Sequence, residues 1–148
     1  MPTTMNQEDF SMRHRIGPGL LASLLFAALI FAGAPAFCES GPIQVGEWAV
    51  CTEVVDRACV GADTHFSSRV GKLFCFTRIV GAQSPVTVTH VWYFEERERA
   101  RVELPVRSAD WRTYSSKIIQ PREIGYWRVN ILGPDGMLLK AVEFEITP

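Results

Sequence analysis

Val86-Thr87-Val88-Thr89-His90-Val91-Trp92-Tyr93-Phe94 is the stretch that decides the fold. Val86, Val88, His90, Trp92 and Phe94 fall on one face, and Thr87, Thr89, Val91 and Tyr93 on the other. A period of two is that of a β-strand. Upstream, Leu73 to Val80 is rich in aromatic and β-branched residues and reads as a second strand, broken by Gly81 to Pro85. Downstream, Glu95 and Glu96 make a polar turn into Arg97–Val106, and Trp111 to Ser115 reads as a short strand. Tyr126 to Leu132 and Met137 to Ile146 flank Gly133-Pro134-Asp135-Gly136, a turn in which proline presets φ and glycine tolerates φ > 0. At the other end, Trp48, Val50 and Thr52 share a face of a first strand, and Asp56 to Ser68 reads as a loop. From residue 37 onward no segment shows a convincing amphipathic helix. The expected fold is all-β, an antiparallel immunoglobulin-like sandwich of about seven strands, preceded by an N-terminal hydrophobic export or anchor helix.

The start of the chain has a different composition. Arg13, His14 and Arg15 precede an apolar run from Leu20 to Phe31, then Ala34-Pro35-Ala36, a small-x-small cleavage pattern. Residues 1–36 are expected to be an export signal, with Met12 an alternative start, and residues 37–148 the folded domain. The alternative is an uncleaved anchor, since Leu20 to Phe37 is just long enough to cross a bilayer. Membrane contact would then be confined to residues 16–37. Lipidation at Cys38 is disfavoured by Phe37, which stands where lipoprotein signals carry a small residue. The expected location is the periplasm or the exterior, or the inner membrane if the anchor is retained.

Export allows disulfides. Cys38, Cys51, Cys59 and Cys75 allow three complete pairings. Cys51 and Cys75, on separate predicted strands, are the candidate pair, while Cys51 and Cys59 would instead close a short loop. Without a Cys-x-x-Cys pair, and with the histidines far apart, no metal or other cofactor is expected.

The net charge of -1 over 148 residues excludes nucleic-acid binding through bulk positive charge. The small total hides a contrast. Residues 97–128 hold eight basic and four acidic groups, whereas residues 37–96 hold four basic and seven acidic. Arg97, Arg99, Arg101, Arg112 and Lys117 are therefore a candidate patch for an anionic ligand, with Arg97, Arg99 and Arg101 on one solvated face. The bland alternative is a salt-bridged surface that also blunts an edge strand.

Thr89-His90-Val91-Trp92-Tyr93, Trp111-Arg112-Thr113-Tyr114-Ser115-Ser116-Lys117, Gly125-Tyr126-Trp127-Arg128-Val129, Asp135-Gly136 and Phe144 follow in an order that resembles the DUF2914 family. Leu73-Phe74-Cys75-Phe76-Thr77 fits the same pattern, so the resemblance runs from about Trp48 to Ile146. It implies a bacterial domain of unknown function, in exported or membrane-associated proteins, and no catalytic residues.

Three features invite chemistry. His90 on an apolar face is read as a structural histidine bonding across the sheet, with catalysis alongside Ser115 or Ser116 as the alternative. Ser115-Ser116-Lys117 lacks the Ser-x-x-Lys spacing, because Ile118 and Ile119 follow, and its hydroxyls are expected to serve a chain turn between sheets. Trp92 and Trp127 are expected in the core, leaving Trp111 as the exposed aromatic. The chain is expected to be a non-catalytic binding or interaction module of the bacterial envelope, with an envelope protein or an anionic envelope polymer as partner. The rival expectations are a small hydrolase or transferase and a membrane-tethered accessory subunit.

Overall fold

A computed structural model describes residues 42–148. The expected export segment, its cleavage site and Cys38 lie outside the described residues. Within them the chain is all-β, with nine strands and no helix. They are β1 (Gln44–Val55), β2 (Ala58–Ala62), β3 (His65–Ser67), β4 (Lys72–Val80), β5 (Val86–Phe94), β6 (Arg97–Val106), β7 (Asp110–Ile118), β8 (Gly125–Leu132) and β9 (Leu138–Thr147). The two strands beyond the expected seven, β2 and β3, come from the stretch read as a loop. β3 also departs from the expected antiparallel pattern, pairing in parallel with β9 while every other pair is antiparallel.

The strands form two sheets, in the orders β2-β1-β4-β7 and β3-β9-β8-β5-β6. Val50, Leu73, Cys75 and Ile79 from the first meet Val88, Trp92, Trp127, Val129, Ile131 and Phe144 from the second in one core cluster. Aromatic rings dominate that core, where they bury the largest apolar areas. Trp127 stacks on Phe144 at 6.0 Å and 17°, and Phe144 meets both Trp92 and Phe66 edge-on.

Two hairpins turn on residue pairs in the left-handed region, Asp56–Arg57 (φ 49 and 61) and Glu95–Glu96 (φ 46 and 58). Two-residue turns of this hand match the right-handed twist of the strands they join. The first hairpin also folds over. Register alone sets Cys59 opposite Val54, three positions along β1 from Cys51. Yet the Cys51 and Cys59 Cα atoms are 5.7 Å apart and joined by a disulfide. Cys59 Sγ lies 3.9 Å from the Ala49 carbonyl oxygen, and Arg57, Ala58 and Cys59 share a groove with Glu47 and Phe76. The hairpin tip therefore curls back across the outer face of the four-stranded sheet, covering Cys51 and Phe76, both buried. Gly61 permits the bend. Its φ is +67, and a Cβ there would sit 2.3 Å from Thr52 Oγ1.

The expected Cys51–Cys75 bond is thus not formed, and Cys75 is a buried free thiol. The register gives the reason. Val50 lies opposite Cys75, and Cys51 opposite Phe74. Paired residues share a face and successive residues alternate, so Cys51 and Cys75 project from opposite faces of one sheet.

Candidate functional site

His90 on β5 joins the two sheets through hydrogen bonds. Its Nδ1 is 2.8 Å from Ser115 Oγ on β7, and its Nε2 is 3.2 Å from Thr77 Oγ1 on β4. The Trp92 indole N–H donates to the same Ser115 oxygen at 3.0 Å. His90, Thr77, Ser115 and Trp92 are all buried. One proton arrangement engages every group: Trp92 donates to Ser115, Ser115 to His90 Nδ1, and His90 Nε2 to Thr77. It requires a neutral imidazole, and burial pushes the His90 pKa down to about 4.

Ser115 was expected at a chain turn, but it lies mid-strand on the inward side of β7, in phase with Trp111 and Thr113. Ser116 is exposed on the opposite side. Of the two candidate serines, only Ser115 comes together with His90, and inside the core. Thr77, the other partner, carried no signal in the sequence beyond its place in an apolar strand.

The five candidate basic residues stand on two neighbouring edge strands. Arg97, Arg99 and Arg101 lie on β6 of the five-stranded sheet, and Arg112 and Lys117 on β7 of the other. The three arginines do not share a face. Trp92 pairs with Ala100 but Tyr93 with Glu98, so Arg99 is the extra residue of a bulge and the alternation slips there. Arg101 forms a two-pronged pair with Glu98, at 3.1 and 3.0 Å. Arg99 pairs with Glu123, whose side chain is buried. On the outer face of the other sheet, Arg112 lies directly across from Arg78. Like charges at that spacing repel, and the Arg78 guanidinium is compensated by Asp110 at 2.8 and 2.6 Å and Glu47 at 2.7 Å. Its hydrogen bonds hold the Asp110 carboxyl below the usual carboxylate range. Lys117 is half-buried and donates to the Ile118 carbonyl oxygen at 2.8 Å.

Glu123 is an anchor that the sequence reading missed. Beyond Arg99, its carboxylate accepts from the Gln120 amide at 2.9 Å, and its carbonyl oxygen accepts from the Trp127 indole at 3.2 Å. Arg99→Ala would leave a buried carboxylate without its cation. Because the arginine is 35% exposed, water offsets part of the loss, and the expected cost is about 2 kcal/mol. Arg101→Ala, at an exposed and solvent-screened pair, is expected to leave stability close to that of the wild type. Urea unfolding of the two variants checks the contrast.

Trp111 is not the exposed aromatic. It is half-buried, packed against the core from the inward face of β7. Among the four tryptophans Trp48 is the exposed one, at 44%, and Tyr114 and Tyr126 are exposed as well. The Trp48 ring lies 3.7 Å from Lys140 Nζ, measured to the centroid, a close cation–π contact. The pair stands at a groove of about 500 Å³ where β1 and β9 part, with Asp63 and Thr64 on its rim and Val50 and Val142 also lining it. Among the described residues, no group of three or more His, Cys, Asp or Glu side chains could hold a metal ion.

Residues 85–146 match the family model DUF2914, a protein of unknown function. The match covers β5 to β9, including His90, Ser115 and Glu123, and excludes Leu73–Thr77 and the groove residues on β1. No curated protein matches the chain.

Proposed function

We propose that this chain, of the DUF2914 family through its residues 85–146, is a non-catalytic binding or interaction module of the bacterial envelope. In this reading residues 1–36 direct export or anchor the chain, and residues 37–148 form an immunoglobulin-like domain. The observation that carries it is the state of the His90–Ser115 pair. Each group has the chemistry of a hydrolase site, but both are buried and both are engaged with Trp92 and Thr77. A nucleophile must meet its substrate, and this hydroxyl is an internal brace.

The purified chain is expected to co-sediment with insoluble peptidoglycan sacculi while leaving p-nitrophenyl acetate unhydrolysed. Ester turnover that disappears in a folded Ser115→Ala variant would establish the hydrolase instead.

A further inference from the structure

We infer that the groove between β1 and β9 is a subsite for an uncharged saccharide ring, with Trp48 as its stacking platform. The inference rests on the binding-module reading and gives it a ligand class.

Trp48 is anomalous among the four tryptophans. Trp92 and Trp127 are essentially inaccessible and Trp111 is half-buried, whereas Trp48 is 44% exposed at the mouth of the groove. An indole left in water forgoes one of the larger burial energies available to a side chain. The Lys140 ammonium covers one face of the ring, so a sugar would stack on the other face with the lysine beside it. An aromatic face with polar groups nearby suits a pyranose. Such a ring offers C–H groups on a face and hydroxyls around its rim.

The rim groups are of the right kind. Asp63 accepts the Thr64 and His65 amides at 2.6 and 3.1 Å, both through Oδ1, so Oδ2 keeps its accepting capacity. Those two bonds, the His65 amide's first, hold the carboxyl below its usual range and keep it an acceptor at neutral pH. Lys140 brings three N–H donors, and the Thr64 hydroxyl, 3.0 Å from His65 Nδ1, keeps a lone pair with which to accept. The floor residues Val50 and Val142 are buried and apolar. The volume, about 500 Å³, lies within the usual range for small-ligand clefts. Asp63 and Glu143 outnumber Lys140 among the charged lining groups, which favours a neutral sugar over a polyanion.

Calorimetric titration of the full chain with tetra-N-acetylchitotetraose and cellotetraose tests this. Saturable binding of at least one is expected. Trp48→Ala should weaken it tenfold or more, Lys140→Ala several-fold, and Trp111→Phe not at all. Absence of binding to both probes overturns the inference, as does a folded Trp48→Ala variant that binds within twofold of wild type. If Trp48→Ala fails to fold, Lys140→Ala decides by the same twofold criterion. Sacculus binding that survives while tetrasaccharide binding fails would remove the groove and leave the module.

Discussion

His90→Ala is expected to lower folding stability at neutral pH by about 4 kcal/mol, combining a core cavity with orphaned hydroxyls. The imidazole is fully buried between the sheets, and its removal leaves Ser115 and Thr77 facing a void. Urea unfolding at pH 7 measures the loss, and a value under 1 kcal/mol would remove His90 as the brace. The same group sets an acid limit. The unfolded chain takes up the imidazole proton near pH 6.5, and the folded chain only near 4. Between those values the unfolded state binds the extra proton, so stability falls as the pH drops. His90's contribution is whole above pH 6.5 and is lost by pH 4, a swing on the order of 3 kcal/mol. His90→Gln, which can still hydrogen-bond, should be less stable at pH 7 and lack this part of the acid slope. Parallel acid slopes for wild type and variant would contradict the buried neutral histidine.

That brace shows what could be read from the chain and what could not. Alternation along β5 placed His90 and Trp92 on the apolar face, and both are buried there. Alternation is local, written in each strand by its own side chains. The identity of the residues across the gap is not local. Thr77 and Ser115 lie 13 and 25 positions from His90 and belong to the other sheet. Only the way the sheets stack brings them there. The same divide explains the errors. One inserted residue in β6, Arg99, breaks the common face expected of three arginines, and nothing in an Arg-Glu-Arg-Ala-Arg run marks the bulge. The charged neighbours Asp110 and Arg112 suggest an exposed Trp111, yet in a strand the neighbours belong to the opposite face. β3 pairs with β9, a partner about 80 residues away, through only three residues. So short a segment has no periodicity to read.

Replacing Cys51 and Cys59 by serine is expected to cost about 2.5 kcal/mol, the chain-entropy value for a loop this short, and to free the hairpin tip. The two cysteines are eight positions apart, and their bond holds the tip against the outer face of the four-stranded sheet. Without it, Thr52 Oγ1 to the Val60 carbonyl oxygen, at 3.2 Å and exposed, is a weak tie across the bend. Phe76, now 6% exposed beneath the tip, would meet water. Arg57 at the turn supplies the readout, because trypsin should cut there faster in the double variant, or after reduction, than in the oxidised protein. Peptide mapping of the oxidised chain should recover Cys51 linked to Cys59. Cys75 should react with thiol reagents only on unfolding, since burial pushes its pKa up to about 12 and leaves almost no thiolate. A Cys51–Cys75 peptide would contradict the register of β1 on β4, because the two sulfurs could then meet only if one strand slipped by a residue. That slip would turn every core side chain of the strand out to solvent. A wrong pairing at this one position would therefore unmake the core as well as the hairpin.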